Sequence, residues 1–267
     1  MEKLTILGTG SAMVTKCYNT CFTLSDNNEH FLIDAGGGNN ILVNLEKSNI
    51  KINNIKHMFI SHTHSDHILG APWVIRAIAT SIAKKSYDGN FTVYGEQSVL
   101  KAIKTICNIV LKKKFLDMFN NEIIFKEVTN DMTLNILGRK TTFFDIGSTK
   151  LLQYGFKTEL LNGKTLTFLG DEYYRESEFK YASNVDYLLH EAFCLYSEKD
   201  IFKPYEKHHA TALDACENAK TVNAKTVILY HTEDKDLANR KERYINEGQA
   251  KFDGIILVPD DLEIINL

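Results

Sequence analysis

Proline is scarce, with three in 267 residues, and there is no Pro- or Ser-rich linker, internal repeat or low-complexity segment. A chain of this length has room for one sizeable domain or two small ones. With so little to mark a boundary, residues 1–267 are expected to form a single domain. No apolar run approaches the ~20 residues that a membrane-spanning helix needs. The opening Met1-Glu2-Lys3-Leu4-Thr5-Ile6-Leu7 goes straight into a strand-like run, without the basic and then long apolar stretch of a secretory signal. A cytoplasmic protein with no membrane association is therefore expected. The five cysteines (Cys17, Cys21, Cys107, Cys194, Cys216) are odd in number and irregularly spaced, which excludes a disulfide framework and fits a reducing compartment. No second Cys or His pair follows Cys17 and Cys21 at finger spacing, so they read as buried thiols rather than as a structural zinc site. Net charge is −3, so the chain has no overall cationic excess, and a nucleic-acid substrate would need a local patch.

Hydrophobic residues make up 44% and charged residues 24%, the balance of a soluble protein with a real core. Apolar runs of strand length recur: 4–7, 21–24, 31–33, 57–60, 91–94, 141–146, 154–158, 166–169, 185–189, 226–230 and 255–258. Ser25-Asp26-Asn27-Asn28 after the second run reads as a hairpin turn. Segments 40–47, 72–84, 97–119 and 210–221 repeat apolar residues at three- and four-residue steps, as helices do, with Pro72 in a first turn where proline is tolerated. Strands come early and helices intervene later, which predicts an α/β (α+β) protein of sheets with helices packed outside.

The chemistry concentrates in His62-Thr63-His64-Ser65-Asp66-His67. An extended segment leaving a strand points His62 and His64 to one side, and Asp66 and His67 follow in a turn. Imidazoles and a carboxylate crowded this closely call for a cation, and both are zinc ligands. A solvated polar loop is the alternative, but apolar sequence precedes and follows the run. Asp34 stands before the glycines Gly36, Gly37 and Gly38, and reads as a carboxylate that orients the histidine loop. Asp171 and His231 each follow an apolar strand. Taken singly, Asp171 reads more readily as a turn aspartate, and His231 also suits a capping or surface histidine.

HxHxDH after a hydrophobic strand resembles the signature of the metallo-β-lactamase superfamily, and the wider pattern is similar to its tRNase Z branch, which trims precursor tRNA. The similarity takes in Leu7-Gly8-Thr9-Gly10-Ser11-Ala12, Phe31 to Gly36, Leu169-Gly170-Asp171, His190-Glu191-Ala192-Phe193, His209-Ala210-Thr211-Ala212 and Leu229-Tyr230-His231. The resemblance implies a metallo-β-lactamase αβ/βα four-layer sandwich and two metal ions, zinc in the first instance with manganese or iron as substitutes. It implies that His62, His64 and Asp171 hold the first metal, and Asp66, His67, His231 and a bridging Asp171 the second. An activated hydroxide would attack phosphorus. Asp66 would orient that nucleophile, and His209, held by Glu191, would protonate the leaving oxygen. His208 sits beside His209, and the Ala210-Thr211-Ala212 context selects His209. His190 reads as structural, and His30 and His57 as strand or surface histidines. The resemblance also implies a homodimer.

Two features depart from the tRNase Z pattern. That family supplies a further histidine to the first metal from a strand before the bridging aspartate, and no histidine occurs here between His67 and His190. The expected position falls on or near Gly147, which leaves Asp145 either as a strand-end aspartate facing solvent or capping the next turn, or as a weak substitute ligand, and predicts a first site weaker than the second. The family's protruding tRNA-gripping arm would lie between Gly147 and Asp171, where only a hairpin fits. Lys112, Lys113 and Lys114, with Lys101 and Lys104, form a basic stretch that reads as a solvated face or as a nucleic-acid contact. The expected function is a metal-dependent phosphodiesterase, with RNA or a smaller phosphodiester as substrate. Hydrolysis of a thioester, lactone or lactam uses the same ligands, and a metal- or ligand-binding protein that has lost catalysis is the reading from another class.

Overall fold

The early apolar runs become strands β1 (Lys3–Gly8), β2 (Cys21–Asp26), β3 (Glu29–Ile33), β4 (Ile55–Phe59) and β5 (Phe91–Gly95), and a strand that the runs did not mark, β6 (Ile123–Glu127), follows. In this computed structural model, which describes residues 2–267, they join the last strand, β14 (Ile264–Asn266), in one sheet ordered β14-β1-β2-β3-β4-β5-β6. β2 and β3 form the expected antiparallel hairpin, with Asp26 opposite Glu29 and Asn27 in the left-handed region at its turn. From β3 to β6 the pairing is parallel. Parallel neighbours need crossover connections. These carry α1 (Asn40–Lys47), α2 (Ser65–Ile68), α3 (Ala71–Ala83), α4 (Gln97–Val110) and α5 (Lys113–Leu116).

The sheet and these helices make the first of two units, comprising the opening segment to Gly8, Tyr18–Thr129 and Asp261–Leu267. Its core packs Leu32, Met58 and Ile60 against Val74, Ile78, Ile103 and Phe115 of the helices. Segment 97–119, expected as one helix, breaks where Leu111 and the next residue turn extended. Its buried stripe runs Val99, Ile103, Cys107. Beyond the break the buried position is taken up by Phe115 of the short second helix.

The second unit, Thr9–Cys17 with Asn130–Asp260, has its own sheet in the order β13-β12-β11-β10-β9-β8-β7. The strands are β7 (Thr133–Ile136), β8 (Arg139–Asp145), β9 (Tyr154–Glu159), β10 (Thr165–Phe168), β11 (Tyr187–Glu191), β12 (Thr226–Tyr230) and β13 (Ile255–Leu257). β7 to β10 pair antiparallel and β10 to β13 parallel. β9 and β10 are joined by the tight turn Leu160–Lys164, in which the Leu160 N–H donates to the Lys164 carbonyl. That hairpin fills the interval before Asp171, as expected. The helices α6 (Phe179–Ala182), α7 (Lys199–Phe202), α8 (Ala212–Thr221) and α9 (Leu237–Gly248) complete the unit. The core includes Leu188, Val227 and Leu229 with Ala215, Cys216 and Tyr244. Among the described residues no helix is long and apolar enough to cross a membrane.

His30 on β3 and His57 on β4 are partly buried strand residues, bonded to Ser25 Oγ at 2.6 Å and Tyr94 Oη at 3.3 Å. Burial pushes each imidazole down from 6.5 to about 4, helped at His57 by the Lys56 charge. Above pH 6.5 both are neutral in folded and unfolded chains and contribute nothing. As pH falls from 6.5 towards 4 the unfolded chain takes up protons that the folded chain refuses, so stability is lost across that window. Urea midpoints measured over this range should fall with pH, and less steeply in a His30→Gln/His57→Gln variant. Equal slopes would contradict the assignment.

Candidate metal centre

Each sheet delivers buried acid and imidazole groups from the carboxyl ends of its parallel strands, where open α/β sheets place ligand sites. In the first unit, β3 ends at Asp34, which is fully buried and left-handed at φ +53°. The Asp34 N–H donates to the Phe59 carbonyl at 2.8 Å, and the Ala35 N–H to the His67 carbonyl at 3.0 Å, so the two strand ends are tied together. Glycine at position 36 is required, because a Cβ there would meet the Tyr18 ring at 2.4 Å and φ is +67°.

Asp34 organises the loop that leaves β4. Its Oδ1 accepts from the Ser61 N–H at 2.8 Å, the Ser61 hydroxyl reaches both of its oxygens, and Oδ2 accepts from His67 Nδ1 at 2.8 Å. With its hydroxyl proton given to Asp34, Ser61 Oγ accepts from His62 Nδ1 at 2.9 Å. Both rings are thereby held in the tautomer that leaves Nε2 as a lone-pair donor. His62 Nε2 lies 3.0 Å from His64 Nδ1, and His67 Nε2 lies 3.3 Å from Asp66 Oδ2. Asp66 and His67 are carried by α2, a single helical turn where the sequence suggested an irregular one.

In the second unit, Asp171 follows β10 through Gly170 (φ +80°), and His231 follows β12 at φ +58°. His231 Nε2 is 3.5 Å from Asp171 Oδ2, and both residues are buried. Glu191 ends β11; its Oε1 accepts from the Ala210 N–H, and its Oε2 lies 3.6 Å from His209 Nδ1. The His209 ring stacks on Phe193 at 5.0 Å and lies 5.1 Å from the His231 ring. Burial opposes a proton on His209, but the Glu191 carboxylate outweighs it and the imidazole pKa is raised. Glu191, His209 and His231 each bring a ligand atom within 4.8 Å of the others. His208 points elsewhere, with its ring stacked over Tyr173 at 6.4 Å. His190 is structural: Nδ1 donates to the Glu191 carbonyl at 2.7 Å, and Nε2 accepts from Asn218 of α8 at 3.1 Å.

The donor chemistry fits divalent cations. His67 gives its Nδ1 proton to Asp34, so a lone pair and a carboxylate face each other at 3.3 Å. Two imidazole nitrogens meet at 3.0 Å in the same cluster. Imidazoles and a carboxylate crowded in this way, with His62 and His67 buttressed through Ser61 and Asp34, are what zinc sites are built from.

Of the two readings of Asp145, the geometry favours the turn cap over the substitute ligand. Asp145 Oδ1 accepts the Gly147 N–H at 2.8 Å, which closes a turn, and Asp145 is absent from every group of convergent ligand atoms among the described residues. Gly147 has φ +72°, and its Cβ position faces Arg175 and Ser177. The residue of this stretch that meets Asp171 is Gln153, fully buried and bonded to it twice. A lone glutamine carries no metal-binding signal, so the sequence reading passed over it. It also passed over Arg240 of α9, whose buried guanidinium donates to Thr9 and Thr232 hydroxyls at 3.0 and 2.8 Å, bracing the residue after His231.

Residues 2–252 match the family described as Anti-Pycsar protein Apyc1. The Ribonuclease Z of Enterococcus faecalis is 25% identical over 316 aligned residues, covering 99% of this chain and 97% of that protein. The metallo-beta-lactamase fold protein YhfI from Bacillus subtilis superposes with a TM-score of 0.80 at 16% identity, covering 99% and 98% of the two chains. The short form of human tRNase Z superposes at 0.76 with 20% identity and the same coverage. The fold is therefore that of the metallo-β-lactamases, and the resemblance to the hydrolases of that fold holds.

Asp34→Asn puts an amide N–H against the His67 Nδ1 proton and leaves a buried donor unsatisfied, which costs about 1–3 kcal/mol. Urea denaturation of the metal-free variant should show a loss of that size. An unchanged unfolding free energy would show that Asp34 does not organise the histidine loop.

Proposed function

The chain belongs to the anti-Pycsar Apyc1 family, and on that premise we propose that it is a metal-dependent phosphodiesterase acting on a small phosphodiester. The observation that carries this reading is the Glu191–His209 pair: a buried carboxylate 3.6 Å from an imidazole whose pKa is raised, beside His231. Hydrolysis of a phosphodiester needs a proton for the leaving oxygen, and a carboxylate-held imidazole is suited to give it. The family's description, anti-Pycsar, enters this reading as the hydrolytic removal of such a molecule.

The first unit would contribute His62, His64, Asp66 and His67 as cation ligands, and the second Asp171 and His231. Zinc suits the donors, and manganese or iron could replace it. Bound there, the cations supply activation of water near neutral pH and screening of charge on the phosphoryl oxygens. Asp34 and Ser61 keep His62 and His67 in the ligating tautomer. Asp66 orients the attacking water, Glu191 holds the His209 ring, and His209 delivers its proton to the departing oxygen. The tight β9–β10 hairpin leaves no arm to grip a large RNA at a distance, and such remote binding energy is what positions a bond within a large substrate. That favours a small phosphodiester over precursor tRNA.

The proposal is tested by comparing turnover of an alkyl phosphodiester, a nitrophenyl phosphodiester and a precursor tRNA. Both small substrates should be cleaved far better than the tRNA. His209→Ala should cost about 10²–10⁴-fold on the alkyl ester, whose leaving oxygen is basic, and much less on the nitrophenyl ester. Equal losses would remove His209 as the acid. Efficient trimming of the tRNA 3′ trailer would overturn the substrate class.

A further inference from the structure

The side chain of Gln153, immediately before β9, is committed at both ends to one residue. Its Nε2 donates to Asp171 Oδ1 at 2.5 Å, and its Oε1 accepts the Asp171 N–H at 2.7 Å. It is fully buried, and its backbone carbonyl accepts from the Ile146 N–H at 3.1 Å, so the turn leading into β9 fixes its position. The other side of Asp171 is held as tightly. The Tyr230 hydroxyl, one residue before His231, donates to the Gly170 carbonyl. Gly170 has φ +80°, and a Cβ there would meet Gln153 Oε1 at 2.4 Å. A glycine at 170 is thus what lets the carboxamide reach both groups of Asp171.

We propose that Gln153 is the positioning residue for Asp171: it clamps Oδ1 and the backbone so that Oδ2, on the His231 side at 3.5 Å, is the oxygen offered to the cations. This rests on the reading of Asp171 as a metal ligand. Gln153 is not itself a ligand, because its only acceptor oxygen is turned to the Asp171 N–H. A carboxylate with one oxygen anchored loses little further freedom when the other binds a cation, and removing such a partner typically weakens metal binding 10–100-fold.

The test is zinc affinity of the full chain, measured by competition with a chromogenic chelator after metal removal, alongside thermal unfolding of the metal-free proteins. Gln153→Met keeps the length of the side chain and deletes both hydrogen bonds. Gln153→Asn keeps the carboxamide but falls short of Asp171, and serves if the methionine variant does not fold. Either should weaken zinc binding about 10–100-fold in a metal-free protein that still unfolds cooperatively. Asp171→Asn should weaken it at least as much, and adding Gln153→Met to Asp171→Asn should cost little more, since the clamp acts only through Asp171. A general packing defect would instead add to the loss. Unchanged affinity in both Gln153 variants, with Asp171→Asn weakened, would overturn the clamp and leave the metal reading standing. Unchanged affinity in Asp171→Asn would overturn the ligand assignment and the clamp with it.

Discussion

The buried carboxylate of Asp34 is the constraint on which the first half of the site depends. A carboxylate with no solvent contact must be met by donors, and here the Ser61 amide and hydroxyl and the His67 ring meet it. Each of those bonds also decides something downstream. The Ser61 hydroxyl, oriented by Asp34, fixes the His62 tautomer, and the His67 bond fixes the tautomer of that ring. One buried charge therefore sets the direction of two nitrogen lone pairs, and nothing else in the loop has to be rigid for them to converge.

The second unit reaches a comparable arrangement by other means. Its acidic and imidazole groups come from the ends of β10, β11 and β12, three successive parallel strands, so their spacing follows from the sheet. Neutral partners steady two of them, the Gln153 carboxamide at Asp171 and the Ala210 amide at Glu191, while Arg240 acts through Thr232 beside His231. Left-handed backbone at Asp34 and His231, together with Gly170, marks the points where the chain leaves a strand and turns a side chain inward. In each sheet the antiparallel strands occupy the other side.

Much of this could be read from residues alone. The histidine run and the two-residue spacing of His62 and His64 announced a cation site, and His209 was separable from His208 by its context. The alternating and continuous apolar runs gave strands β1 to β5 and β8 to β13 because their burial is written in side chains. What escaped lacked such a signature. Strand β7 is mostly exposed, with only Ile136 fully buried, so no alternation marks it. Helix α9 packs through Arg240, Tyr244 and Gly248, which no apolar stripe would reveal. Gln153 and Asp145 exchanged importance because hydrogen-bond partners across a hairpin turn depend on side-chain reach. The strand pattern left Asp145 either as a turn cap or beside the missing ligand; its carboxylate closes the turn on Gly147, while Gln153 reaches Asp171.

The central claim is that these two clusters exist to hold divalent cations that drive hydrolysis. Elemental analysis of gently purified protein, paired with phosphodiesterase activity before and after chelation, tests it most directly. The expected result is a divalent transition metal, up to two ions per chain, with activity that disappears on chelation and returns on adding zinc or manganese. Metal-free protein that hydrolyses phosphodiesters at the full rate, or a chain that takes up no metal at all, would contradict it.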